Sequence, residues 1–310
     1  MESTEVKELE ISEINNEKHF VAFLDILGFK SHIDNYFNGN DPSILNKIRY
    51  ALKISKQYTL TPHKNFLEES NSKIKFKQFS DCICISMPYS KKENTIFGKF
   101  ILFINMLRSY QSFLFGQDIY VRGGLSSGFH FEDNNIIFSK GLVDSYLIES
   151  KKAIYPRIVI DENLIKELKP ILTEQIGLMR KCNLCSAFLL DEAGLLFLNP
   201  FKLGSYAEKA YNYDKNMFNK ANRFVSDPNW MNSFEEEDKG KKLKELDEKI
   251  IEDVFKNVER QIKYYKGELV KNNYSVNQYE KLRKYLWLKE LIKWNKDKDS
   301  SKIKFEYFLK

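Results

Sequence analysis

The stretch HFVAFLDILGFK, residues 19–30, sets a carboxylate, Asp25, directly behind the apolar run Val21, Ala22, Phe23 and Leu24. Such a run of apolar and aromatic residues, ended by Gly28, predicts a buried strand. A carboxylate is costly to bury unless its charge is compensated. Asp25 is therefore either an ordinary strand-end residue or one half of a site that holds a cation.

Working outward, a short helical pattern covers about 29–37. A longer one, SILNKIRYALKISKQY, starts at Ser43 as N-cap after Pro42, with apolar residues at 44, 45, 48, 51, 52 and 54. KIKFKQF and CICISMP are two strand-like runs joined by Ser80-Asp81, a hairpin signal. A long helical run at about 93–115 leads into the strand DIYVRGGLSSGFHF, the polar turn EDNN, and IIFSKGLVDSYLIES, a strand followed by a helix. RIVI at 157–160 is a further strand, and CSAFLLDEAGLLFLNPF is a hairpin turning at Asp191 to Gly194. Helices that separate the first strand from a central hairpin predict an α+β fold with a ferredoxin- or palm-like antiparallel sheet. Past Pro200 the composition shifts to charged helical spacing. The chain is thus divided into an N-terminal segment 1–18, an α+β domain 19–200 and a mainly helical extension 201–310, whose charge runs are read as solvated helix faces.

With 310 residues, 43% hydrophobic and 30% charged, the chain has ample material for a packed core. A formal net charge of +6 suits a protein that handles anionic nucleotides. The basic residues are dispersed, with no aromatic-basic cluster, so nucleic-acid binding is not expected. The densest apolar run, TIFGKFILFINML, is too short for a bilayer span and carries Lys99, so no membrane role is expected either. The acidic, polar start MESTEVKELE is no secretory signal, and with four Cys the expected compartment is the cytoplasm. Cys182 and Cys185 form a C-x-x-C, but no second ligand pair accompanies it, and they are read as small buried residues.

Chemistry is expected where the first strand meets the central hairpin. In a palm-like sheet those strands are neighbours, so Asp25 and Asp81 would reach the same sheet edge. Paired hard oxygen ligands suit Mg²⁺ or Mn²⁺, and two such ions serve in-line displacement at phosphorus. Taken alone, Asp81 is equally an ordinary turn residue, since Asp side chains bond nearby backbone amides.

FLDILGFK followed by KQFSDCICIS resembles the class III nucleotidyl cyclases, whose signature is F-x-D-I-x-G-F and then a strand-turn-strand bearing a second Asp. Phe23, Asp25, Ile26, Gly28 and Phe29 match the first element, and Asp81 the second, with Ser80 in place of the usual Gly. VRGGLSSG resembles the cyclase strand R-x-G-I-x-x-G through Arg122, Gly124, Leu125 and Gly128. The resemblance covers about residues 19–200. It implies a homodimer with composite sites and two divalent ions, Mn²⁺ or Mg²⁺, held by Asp25, Asp81 and the Ile26 carbonyl. It also implies a nucleoside triphosphate closed to a 3′,5′-cyclic nucleotide with loss of pyrophosphate.

The same resemblance has departures. Lys77 sits where adenylyl cyclases place a base-reading Lys, although KIKFKQF also alternates Lys on an outward strand face. Purine cyclases carry Asn-x-x-x-Arg on the helix after the fourth strand. GLVDSYLIESKK has neither, and Glu149 falls where a cation is expected. Arg122 and Arg157 are the candidates to replace it, each equally readable as a sheet arginine paired with a carboxylate. SYLIESKKAIYPRIVID resembles instead the bacterial pyrimidine cyclases of the Pycsar anti-phage systems, which make cyclic UMP or cyclic CMP for a separate effector. Under that reading Tyr50 is a candidate to line the base pocket. The alternatives are an adenylate or guanylate cyclase and a non-catalytic cyclase homology domain.

Overall fold

The computed structural model describes residues 18–60, 73–90, 95–201, 239–272 and 274–296. The N-terminal segment before Lys18 and the first part of the expected extension, 202–238, lie outside the described residues. Eight strands form one sheet in the order β2-β3-β1-β4-β6-β8-β7, with β5 paired to β4. The first strand, β1 (Lys18–Ile26), is an interior strand, antiparallel to β3 (Cys82–Tyr89) and to β4 (Val121–Glu132). Both its faces are covered, which is why HFVAFL is apolar without alternation.

Those two faces do different jobs. Phe20, Ala22, Leu24 and Ile26 point into the main core together with α2 (Ile44–Leu60) and α3 (Ile96–Gly116). Phe20 stacks on Tyr89 at 4.1 Å and meets Phe100 of α3 at 5.6 Å. The run TIFGKFILFINML is thus a buried core helix, with Arg108 fully buried and bonded to the carbonyls of Asn199 and Phe201. Val21, Phe23 and Asp25 face the other way, toward α4 (Lys140–Lys152). Ser145 donates to the Val21 carbonyl at 2.7 Å, and Phe23 meets the Tyr146 ring edge-on at 5.5 Å.

The hairpin expected at Ser80-Asp81 joins β2 (Lys75–Phe79) to β3, with Ser80 at φ 55° in the left-handed region. The EDNN turn closes β4 onto β5 (Ile137–Ser139), and Asp133 Oδ1 accepts from the Asn135 and Ile136 amides. β6 (Ile158–Ile160) pairs parallel with β4, so the sheet is mostly rather than wholly antiparallel. The cause is the crossover through α4, which returns the chain in the direction of β4. Two helices not read from the sequence follow, α5 (Glu162–Glu174) and α6 (Ile176–Lys181), then the β7–β8 hairpin (Phe188–Leu190, Leu196–Leu198) with Gly194 at φ 77°. Cys182 is packed in the core beside it.

The described part of the extension is a helical hairpin, α7 (Lys239–Lys271) and α8 (Val276–Lys296). It shares the core with the sheet through Val254, Val258, Leu288 and Ile292. Trp287 stacks on Tyr155 at 5.0 Å, Asn199 bonds Asn295, and Arg260 pairs with Asp118 at 2.7 Å. Among the described residues no helix is long and apolar enough to cross a membrane.

Candidate active site

The antiparallel register brings the two acidic segments together. Asp25 lies opposite Cys82 of β3 on one side and opposite Arg122 of β4 on the other. The Ile26 amide donates to the Asp81 carbonyl at 3.0 Å, so the end of β1 is tied to the turn before β3. As a result a carboxylate oxygen of Asp25, one of Asp81 and the Cys82 sulfur all lie within 4.8 Å of one another. Leu27 donates to the Tyr120 carbonyl at 2.8 Å, and Gly28, at φ 78°, turns the chain into α1 (Phe29–Phe37). That left-handed conformation is one a glycine adopts without strain.

Arg122 holds the group in place. Its Nε lies 3.1 Å from Asp25 Oδ2 and 2.7 Å from Glu149 Oε1. The single Nε proton is directed at Asp25, so the contact with Glu149 is one of charge. Glu149 reaches this point through matched spacing. Residues 141, 145 and 149 of α4 lie at intervals of about 6 Å, over β1 residues 21, 23 and 25 at about 6.7 Å. Burial is the first cause that raises the pKa of both Asp25 and Glu149 above the ordinary carboxylate range, and Arg122 opposes it in each case. Burial and the Asp81 charge push the Cys82 thiol up to about 12, so it donates weakly to Asp81 Oδ1 at 3.7 Å. The ammonium of Lys284, on α8, acts on both Asp25 and Glu149.

The donor set fits a divalent cation. Two carboxylates, Asp25 and Glu149, pair with one guanidinium, a third, Asp81, acts on both by its charge, and Asp25 and Asp81 offer oxygens that converge from separate strand segments. Carboxylate oxygens are the ligands that Mg²⁺ and Mn²⁺ take.

The other residues singled out from the sequence are placed as follows. Phe23 is 6% exposed and Phe29 packs against the core edge, both beside Asp25 in the chain. Lys77 lies opposite Cys84, which itself lies opposite Phe23, so Lys77 is on the Asp25 face of the sheet. Its Nζ donates to the Asp133 carbonyl at 2.5 Å. Tyr50 is apart from the group, 59% exposed on α2, which covers the opposite face. Arg157 is also held elsewhere. Its guanidinium is buried, donates to Asp191 Oδ2 at 2.6 Å, and sits 5.1–5.6 Å from the rings of Tyr155, Phe197 and Trp287. Of the two cations considered for the missing Asn-x-x-x-Arg, only Arg122 is at the carboxylates. Lys284 was not singled out, because YEKLRKYLWLKELIKW gives its lysines no distinguishing signal. Glu149 was legible as a departure from the cyclase pattern, but its partner was not.

No family model matches the chain, and no curated protein matches it. Among solved structures it is similar to the adenylyl cyclase CyaB from P. aeruginosa, with 13% identity over 50% of this chain and 82% of that one, at a TM-score of 0.37.

Proposed function

We propose that the protein is a nucleotidyl cyclase that converts a pyrimidine nucleoside triphosphate, UTP or CTP, to its 3′,5′-cyclic nucleotide and pyrophosphate. The observation that carries the reading is the convergence of Asp25 and Asp81, 56 positions apart, on one point beside the glycine turn at Gly28. In the reaction the 3′-oxygen forms a bond to the α-phosphorus while the bond to the bridging oxygen of the β-phosphate breaks. The hydroxyl proton is lost and pyrophosphate leaves. Asp25, Asp81 and the Ile26 carbonyl would hold two Mg²⁺ or Mn²⁺ ions, whose chemistry when bound would be to neutralise phosphate charge and acidify the attacking hydroxyl. Arg122 orients the Asp25 carboxylate, and Glu149 balances Arg122, so that the guanidinium is a positioning group. The turn at Gly28 lets a phosphate approach the backbone closely, with Phe23 and Phe29 shaping the wall behind it.

The pyrimidine assignment rests on SYLIESKKAIYPRIVID, and it is supported by Glu149, an acid where purine cyclases carry their clamp. Lys77, on the same face as Asp25, is the base-side candidate; Tyr50 and Arg157 enter only through a second copy or through rearrangement. The working unit is a homodimer with composite sites, supported by the exposed apolar side chains Phe79, Val143 and Tyr146 around this face. The product is a second messenger read by a separate effector in anti-phage defence.

The test is incubation of the purified protein with each of the four nucleoside triphosphates and Mn²⁺. Cyclic UMP or cyclic CMP is expected; cyclic AMP or GMP as sole product ends the pyrimidine reading, and no cyclic product ends the cyclase reading.

A further inference from the structure

A cleft of about 140 Å³ opens between the turn at Leu27 and Gly28, two residues past Asp25 in the chain, and the C-terminal hairpin, which contributes two lysines, Lys281 and Lys284, against one acid, Glu280, beside Tyr265 and Tyr285. It is smaller than the roughly 300–1,000 Å³ that encloses a whole small molecule. It therefore suits one charged end of a ligand rather than all of it. Gly28 gives α1 no side-chain cap, so first-turn amides of that helix are available beside the cleft.

Lys284 is the unusual member of its helix. Lys289 pairs with Glu259, Lys293 pairs with Glu290, and the ammonium groups of Lys281 and Lys296 lie over the Tyr265 and Phe255 rings. Lys284 is half-buried and makes no ion pair or hydrogen bond among the described residues. Burial, followed by the Arg122 charge, pulls its pKa down, while Glu280 and Asp25 pull it up. A desolvated ammonium without a partner is costly, and an anion entering the cleft would remove that cost.

We propose that the cleft receives the polyphosphate end of the nucleotide, and that Lys284, carried by the C-terminal helix of the same chain, is the cation that binds it. The assignment rests on the cyclase reading for the identity of the nucleotide, but not for the anion chemistry of the cleft. It gives the helical extension a role in the site: the positive charge missing from the helix after the fourth strand is supplied in cis, on the leaving-group side. A lysine is a compact point charge that follows a moving phosphate chain without fixing a bidentate geometry.

The experiment is calorimetric titration of inorganic tripolyphosphate, with Mg²⁺, into the full chain, and into Lys284→Gln and Lys284→Arg. Loss of one charge-assisted contact is expected to weaken binding by roughly tenfold or more in Lys284→Gln, with Lys284→Arg staying within about threefold of the parent. Equal weakening in both variants would assign the effect to packing and overturn the proposal, as would unchanged affinity in Lys284→Gln or no binding by the parent. The nucleotide panel separates the two readings. Lys284-dependent tripolyphosphate binding without a cyclic product removes the cyclase and keeps the cleft. Cyclic product with Lys284-independent binding removes the role of Lys284 and keeps the cyclase.

Discussion

Asp25 and Asp81 carry different structural burdens although they share one site. Asp81 is a half-exposed turn residue whose backbone carbonyl, not its side chain, ties the turn to Ile26. Asp25 is packed between Cys82 and Arg122, with burial acting against its charge. Asp25→Ala and Asp81→Ala are each expected to cut cyclic-nucleotide formation by at least about a hundredfold, because each removes an oxygen donor from the convergent pair. The melting temperature and the oligomeric state of Asp81→Ala should match the parent. Turnover retained in either variant, measured by chromatography of the products, would end the paired-carboxylate mechanism. Both positions were legible in the sequence because a lone Asp behind an apolar strand and another in a hairpin turn leave local marks. Arg157 left the same kind of mark but is placed away from the carboxylates: its charge is held by Asp191 and by three aromatic rings drawn from different parts of the chain. No local pattern distinguishes a guanidinium that meets substrate from one enclosed by the fold.

At the level of elements, the site depends on how closely α4 lies on β4. The glycines of VRGGLSSG are the reason it can. A methyl group on Gly124 would sit 2.8 Å from Ile148 Cβ and closer still to the Ser145 carbonyl, and one on Gly128 would sit 2.9 Å from the Gly141 amide. Both obstacles include helix backbone, which cannot swing aside as a side-chain tip can. Gly124→Ala is therefore expected to cost on the order of 3 kcal/mol in a denaturant titration and to displace α4 outward. Because Glu149 and Arg122 meet across that contact, the proposed cyclase activity should fall further than the loss of folded protein explains. A variant with parental stability and activity would refute the close-approach argument. The strands and long helices were readable from periodicity and from hairpin dipeptides. What periodicity could not supply is register: that residues 141, 145 and 149 would lie over 21, 23 and 25 depends on the parallel return through α4, a tertiary event. The short helices at 162–181 were missed because their apolar positions are interrupted by Pro170 and Gly177.

Over the whole molecule, one side of the site is closed by the chain itself and another is left open. The α7–α8 hairpin is fastened beside β4 and β6 by the Tyr155–Trp287 stack, the Asn199–Asn295 bond and the Arg260–Asp118 pair. Among the described residues the outer face of α4 has no such cover: Val143, Tyr146 and Leu147 are 53%, 50% and 39% exposed, and the nearby β4–β5 hairpin presents Phe138 at 67%. Apolar groups gathered around a site mark an interface more often than an accident of the surface. If a second copy completes the site, an unpaired carboxylate placed there should separate the copies without touching Asp25, Asp81 or Arg122, since burying such a charge is strongly unfavourable. Val143→Asp combined with Phe138→Asp is expected to sediment as a monomer where the parent sediments as a dimer. It should unfold at a temperature within a few degrees of a diluted, dissociated parent and form no cyclic nucleotide, while retaining Lys284-dependent tripolyphosphate binding, because the cleft at α8 belongs to one chain. A double variant that remains dimeric would place the interface elsewhere. A monomer with full turnover would mean that the carboxylates, Arg122 and the C-terminal helix suffice within a single chain.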